Sequence, residues 1–220
     1  MRVLGIDASG PALAVALIEE ETVLAEFSWA APRTAGTFLV AWIQEITQQF
    51  GWPEGIGVGV GPGSFTGTRI AVSAAKMLAW ARGIPVVGVS SLAAWAAAAP
   101  PATLVVVTSE RRGPAFYLGL FRIGEAGPEP AIPEQAIDGE LPSPFPLGEA
   151  AWLVGPLAGD AEWRGRFGPL VTPHPLPLYG SNVARLARRR LVGGQSDPVE
   201  QLFPRYLRPP AIQGQGSRGA

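Results

Sequence analysis

A chain of 220 residues, 47% of them hydrophobic, can bury a substantial core as one large domain or two small lobes. No apolar run reaches the roughly 18 residues of a membrane span. The absence of cysteine excludes a disulfide scaffold, thiol catalysis and cysteine metal sites and fits a cytoplasmic setting, and a net charge of −1 gives the whole chain no basic footprint for nucleic acid.

Val3 to Asp7 and Leu13 to Ile18 read as adjacent strands around a turn at Ser9-Gly10-Pro11, and Thr22 to Trp29 reads as a third. Asp7 interrupts the N-terminal stretch that could otherwise form a secretory h-region. At the end of its strand, Asp7 with Ser9 has two readings. The acid can organise Mg²⁺ or water, or it serves as an Asx-turn residue.

The helix predicted over Gly36 to Phe50 places Leu39, Trp42, Ile43, Ile46 and Phe50 on one stripe. A buried strand, Ile56 to Val60, then enters the run Gly61-Pro62-Gly63-Ser64-Phe65-Thr66-Gly67-Thr68-Arg69-Ile70. Glycines at 61, 63 and 67 allow backbone angles closed to other residues, Pro62 fixes one angle, and Ser64 and Thr66 can cap the helix that follows. Such a turn is expected to aim backbone N–H groups outward, a seat for an anion or for a partner's backbone. The dinucleotide fingerprint fails because Thr66 stands where its third glycine belongs, and the Walker pattern fails because Thr68-Arg69 follows Gly67.

The second helix, Gly67 to Ala81, is apolar nearly all round and must be covered on more than one face. A strand over Val86 to Val89 and a helix over Ser91 to Ala99, capped by two serines, lead to Pro100-Pro101, the expected lobe boundary. Beyond it, Thr103 to Thr108 and Ala115 to Ile123 read as a hairpin turning at Arg111 to Pro114. Residues 127–148, with six prolines and no clear period, read as an extended loop. Trp152 to Gly155 reads as a short strand, Ser181 to Leu191 as a helix ending in arginines, and Gln213 to Ala220 as a frayed tail, with no internal sequence repeat.

Charge is unevenly spread. Residues 101–160 carry three basic and eight acidic groups, whereas 161–220 carry nine basic and three acidic. Arg185, Arg188, Arg189 and Arg190 either complement a helix C-terminus or contact RNA phosphates. The single histidine, His174, lies between prolines and reads as an exposed loop residue.

The 61–70 run resembles the signature GPGSFTGLRIG of the TsaB (YeaZ) family. Agreement extends to Ile6-Asp7-Ala8-Ser9 against that family's IDTS, to Gly83 through Leu92 against its iPlvgvsSL segment, and to Pro204-Arg205-Tyr206-Leu207-Arg208 against its P-x-YLR. The similarity is dense over residues 1–95 and sparse from 125 to 200. Three positions depart from the pattern: Ala8 replaces Thr, Arg33-Thr34-Ala35-Gly36 replaces R-x-H-S/T, and Ser109 replaces the Asp of a DARR-type segment. Roles that depend on that His or Asp are not carried over.

The resemblance implies a two-lobed α/β fold of the actin/Hsp70/sugar-kinase (ribonuclease H-like) type. It places a first lobe over residues 1–100, a smaller second lobe over 101–210 whose last segment can pack back on the first, and a tail over 211–220. It also implies a non-catalytic subunit of the machinery that makes tRNA N6-threonylcarbamoyladenosine, a relative of TsaD within the glycoprotease-like group. TsaD is the catalytic partner, TsaE supplies an ATPase cycle, and tRNA is met through the complex. This chain lacks the H-x-x-x-H pair that holds the TsaD metal. ATP or ADP with Mg²⁺ is expected only in complex with partners, at a site shared with the Gly61, Pro62, Gly63, Ser64, Phe65, Thr66, Gly67 and Arg69 loop. Asp7 and Ser9 are then a vestigial phosphate loop. The expected interface is Ile70, Ala74, Met77, Leu78 and Ala81 on the second helix with Phe38 and Trp42 opposite, and the same surface is expected to form a homodimer when the chain is alone. The alternative is an independent ATPase, phosphotransferase or glycoprotease-type peptidase on the same fold.

Overall fold

The fold was obtained as a computed structural model, which describes residues 1–30, 35–112, 115–138 and 147–208. The first half contains β1 (Arg2–Asp7), β2 (Leu13–Glu19), β3 (Thr22–Trp29), α1 (Ala35–Phe50), β4 (Gly55–Gly59), α2 (Phe65–Arg82), β5 (Val86–Val89) and α3 (Ser91–Ala96). The second contains β6 (Leu104–Arg112), β7 (Ala115–Gly124), β8 (Gly127–Asp138), β9 (Ala151–Val154), α4 (Ala161–Arg166), β10 (Val171–Pro173) and α5 (Gly180–Val192).

Each half builds one five-stranded sheet, in the orders β3-β2-β1-β4-β5 and β8-β7-β6-β9-β10. In both, an antiparallel meander of three strands gains two parallel strands on the far side of its first. The chain therefore repeats one topology twice with no repeated sequence, because the rules of strand pairing and crossover act on the apolar pattern and not on residue identity. This duplication is the two-lobed actin/sugar-kinase-like architecture.

Three apolar cores separate the layers. Leu4, Ile6, Leu17 and Ile56 pack under α1 and α2 on the outer face of the first sheet. Val3, Ala14 and Val87 face Val105, Phe121 and Val154 of the second sheet through α3 and α5, which lie between the two sheets. Phe116, Leu118, Leu153 and Phe167 close the outer face of the second sheet. Strands β1 and β2 are buried on both faces, which accounts for their near-continuous apolar sequences.

Helix α5 lies against the first sheet through residues that have no Cβ to hold it away. A Cβ at Gly5 would stand 2.1 Å from the Gly180 carbonyl oxygen, one at Gly57 would stand 2.5 Å from the Ala187 Cβ, and one at Gly180 would stand 2.6 Å from the Ala16 nitrogen. The face that α5 buries is correspondingly small: Ser181, Val183, Ala184 and Ala187.

Several boundaries differ from the expectations. Helix α2 begins at Phe65, two residues before Gly67, because Ser64 is its N-cap. Helix α3 stops at Ala96, three residues short of Ala99. Residues 127–138, expected to be loop, form strand β8. Its prolines 128, 130 and 133 are tolerated because β8 is a sheet edge and needs ladder donors on one side only. Helix α4 and strand β10 had no sequence signal strong enough to name. Residues 31–34, 113–114, 139–146 and 209–220, on which the expected hairpin turn, part of the expected loop and the expected tail fall, lie outside the described residues. Among the described residues no helix is long and apolar enough to cross a membrane.

Gly57→Ala is expected to destabilise the chain by on the order of 3 kcal/mol or to prevent folding, since the methyl group meets backbone and a short side chain that cannot retreat. Gly148→Ala, where nothing lies within 4 Å of the added methyl, should be neutral, both variants being read by urea titration.

Candidate functional site

Asp7 ends β1 fully buried. Its Oδ1 accepts from the Ser9 N–H at 2.6 Å and its Oδ2 from the Ser91 hydroxyl at 2.6 Å. The Ser91 oxygen in turn accepts from the Gly61 N–H at 3.1 Å. This is the Asx-turn arrangement, extended to a second strand end. Of the two serines at the start of α3, Ser90 caps the helix by accepting from the Ala93 N–H at 3.2 Å, while Ser91 serves the carboxylate. Among the described residues no cation is paired with Asp7. Burial pushes its carboxyl above the ordinary value of 3.8, against the opposing effect of its hydrogen bonds from Ser91 and Ser9.

The glycine run closes over this acid. A Cβ at Gly59 would fall 1.7 Å from Asp7 Oδ2, one at Gly63 would fall 2.3 Å from the Ser9 carbonyl oxygen, and one at Gly67 would fall 1.8 Å from the Ala8 carbonyl oxygen. The start of α2 thus rests directly on the β1–β2 turn and leaves no room for a phosphate between them. Three donors expected to point outward are satisfied inside: the Ser64 N–H by Ser9 O at 2.6 Å, the Gly67 N–H by Ser64 Oγ at 3.3 Å, and the Gly61 N–H by Ser91. Gly61 takes φ +90° and joins Pro62 through a cis peptide. Thr66 is exposed and plays no part in the cap. Ser9 Oγ is buried without a partner.

The outer side of α2 is open. Ala74, Met77, Leu78 and Ala81 line a groove of about 600 Å³ between α2 and α1, with Val40 and Ile43 on the opposite wall and Trp52 at one end. Met77 is 63% exposed, Val40 65% and Trp80 72%. Phe38 and Trp42 are not in that groove. They belong to an aromatic stack with Phe27 and Trp29 along the edge strand β3, the Phe27 and Trp42 rings being 5.3 Å apart and nearly parallel. Ile70 is half-buried on the core beneath. Four of the seven interface candidates thus share one groove, and its walls add Val40, Ile43 and Trp52, which the sequence reading did not place at the interface.

Phe65 and Arg69 of the loop turn toward the C-terminal segment. The Arg69 guanidinium lies 4.0 Å over the Phe65 ring, and its Nε donates to Tyr206 Oη at 2.9 Å.

The arginine cluster is largely neutralised within the fold. Arg188 pairs with Glu20 and Glu21, Arg185 with Glu21 at 3.6 Å, and Arg190 with Asp197 at 2.7 Å. Burial acts to raise the Asp197 carboxyl, but its hydrogen bonds from Arg190 and the Gly88 N–H outweigh this and hold it below the ordinary carboxylate value. His174 is half-buried and not exposed, its ring stacked 3.6 Å from that of Trp152. Ser109, at the departure from DARR, is buried with its hydroxyl unpartnered. The side chain of Ala35, the other departure, lies outside the described residues.

Comparison with known proteins agrees with this layout. The family model of TsaD, tRNA N6-adenosine threonylcarbamoyltransferase, matches residues 36–140. The tRNA threonylcarbamoyladenosine biosynthesis protein TsaB of Bacillus subtilis (strain 168) is 32% identical over 225 residues, covering 94% of each chain. The protein of the same name from Escherichia coli (strain K12) is 38% identical over 96 residues, 42% of this chain and 41% of its own. The solved structure of YeaZ from Pseudomonas aeruginosa superimposes with a TM-score of 0.80 at 25% identity, over 94% of this chain and 100% of that one.

The raised carboxyl of Asp7 makes a signed prediction. A buried acid whose folded value lies above its unfolded value costs nothing below pH 3.8, and its penalty builds as pH rises from 3.8 to the folded value and is constant above it. The thermal midpoint of Asp7→Asn relative to the unaltered chain should therefore increase as pH is raised from below 3.8 to neutrality. A difference that stays flat across that range would show that the carboxylate carries no burial penalty.

Proposed function

The chain belongs to the TsaB (YeaZ) family, and from that premise we propose that it is the non-catalytic, activating subunit of a tRNA N6-threonylcarbamoyladenosine synthesis complex. The observation that carries this reading is the open apolar groove between α1 and α2. A helix pair with one face on its own sheet and another presenting Val40 and Met77 to water is suited to pack against a second helix pair. The small side chains of Ala74 and Ala81 let a partner's backbone come close. A TsaD-type catalytic subunit is the partner proposed, because the family model that matches this chain is named for it and a related fold would offer a similar helix pair. In the absence of that partner the same groove would join two copies of this chain.

The filled cleft supports the non-catalytic part of the proposal. Asp7 is engaged by Ser9 and Ser91, and the glycine run lies in contact with the turn that a nucleotide phosphate would need. Any nucleotide would be met at the edge of the signature loop together with partner residues, where a TsaE-type ATPase would also act. Contact with tRNA would come through the assembled complex, since Arg185, Arg188 and Arg190 are paired with carboxylates of this chain.

Met77→Asp puts a charge at the centre of the exposed apolar groove without touching the core. It should weaken association with the TsaD-type subunit by at least about 30-fold, read by titration calorimetry and by loss of co-elution on a sizing column, with the thermal midpoint of the free chain unchanged. Undiminished association would overturn the assignment of this groove.

A further inference from the structure

The run Pro204 to Arg208, singled out in the sequence, has no part in the function proposed so far. In the structure it belongs to a segment, 197–208, that returns from α5 across the ends of both sheets. Asp197 pairs with Val86 at the edge of β5, and its carboxylate accepts from the Gly88 N–H at 2.7 Å and from Arg190. Leu202 is buried beneath α2, and Lys76 of α2 donates to the Leu202 carbonyl at 3.0 Å. Then the Arg205 N–H donates to the Val60 carbonyl at 2.7 Å, at the root of the signature loop, and Tyr206 packs on Phe65 with ring centroids 5.1 Å apart.

The same residues reach the other half of the molecule. Arg205 Nη1 donates to Glu134 Oε2 at 2.6 Å, the second oxygen of Glu134 accepts from the Ser90 hydroxyl, and Arg208 donates to the Ile137 carbonyl at 2.8 Å. Glu134 sits where β8 slips register against β7: Gln135 opposes Leu118 and Ile132 opposes Leu120, so that Pro133 and Glu134 together face Gly119. A bulge of this kind re-aims a side chain, and here it brings Glu134 to Ser90 on the opposite lobe. The Glu134 side chain is only 6% exposed, and among the described residues its paired cation is Arg205.

We infer that segment 197–208 is a latch whose Arg205–Glu134–Ser90 bridge ties the second sheet to the signature loop and holds that loop shut over Asp7. Arg205 and Glu134 are positioning residues: Arg205 holds Val60 and Glu134 holds Ser90, whose neighbour Ser91 bonds Gly61 at the start of the signature loop. The inference concerns the free chain and does not rest on the partner proposed above.

Hydrogen exchange on the isolated protein tests it. In Arg205→Ala, which leaves Glu134 buried without its cation, the amides of Gly61, Ser64 and Ala93 should exchange at least 10-fold faster, while those of β1 and α5 keep their protection. Glu134→Gln, altered at the other end of the bridge, should loosen the same three amides, and Arg205→Lys should restore most of the protection. Unchanged exchange at those amides in both variants would overturn the latch. So would an equal acceleration across β1 and α5, which would mean that the segment adds only to global stability.

Discussion

The structure depends on a seam without side chains. Gly5 and Gly57 on two adjacent strands, met by Gly180 at the start of α5, let the last long helix of the chain lie on the first sheet at backbone contact. A single methyl at Gly57 would meet both the Ala187 Cβ and the Val183 carbonyl, so this closeness cannot be approximated with larger residues. Because α5 is contributed by the second half and covers the first, the two sheets share one interior core of Val3, Val87, Val105 and Phe121 with α3 and α5. The inner face of the first sheet is thereby closed, and α1 and α2 on its outer face are left to meet solvent or a partner.

The same economy of space shapes the cleft. Where a glycine-rich turn before a helix often binds an anion with its free N–H groups, here three of those groups meet Ser9 O, Ser64 Oγ and Ser91 Oγ. The acid at the end of β1 is answered by two donors and held away from solvent. With this interior closed, the surface left open is the apolar groove whose walls are α1 and α2. The fold class alone would suggest a nucleotide enzyme; the packing of Gly59, Gly63 and Gly67 argues for a different use of the same scaffold.

Much of this was legible in the sequence, and the reasons are local. Helix α2 and the turn that launches it announce themselves through Gly61, Pro62, Gly63 and Ser64, and the excess of apolar residues on α2 already requires more than one covering surface. Strand β8 was not legible, because Pro128, Pro130 and Pro133 break any period, and only its place at a sheet edge makes them harmless. The arginines of α5 looked available because their carboxylates, Glu20, Glu21 and Asp197, are supplied by a distant hairpin and by the returning C-terminal segment. Glu134 could not have been found at all, since a bulge and two other segments are needed to bring it to Ser90 and Arg205. The repeated topology was hidden for a related reason: the two sheets agree in connection and share no motif.

In the function proposed, this chain contributes a surface and no chemistry of its own. Reconstitution of threonylcarbamoyladenosine formation on tRNA, from a TsaD-type subunit, a TsaE-type ATPase and the synthase that supplies threonylcarbamoyl-adenylate, tests it most directly. Product is expected only when this chain is added, and none from this chain when the TsaD-type subunit is omitted. Equal product without this chain, or product formed by it in the absence of the TsaD-type subunit, would contradict the account.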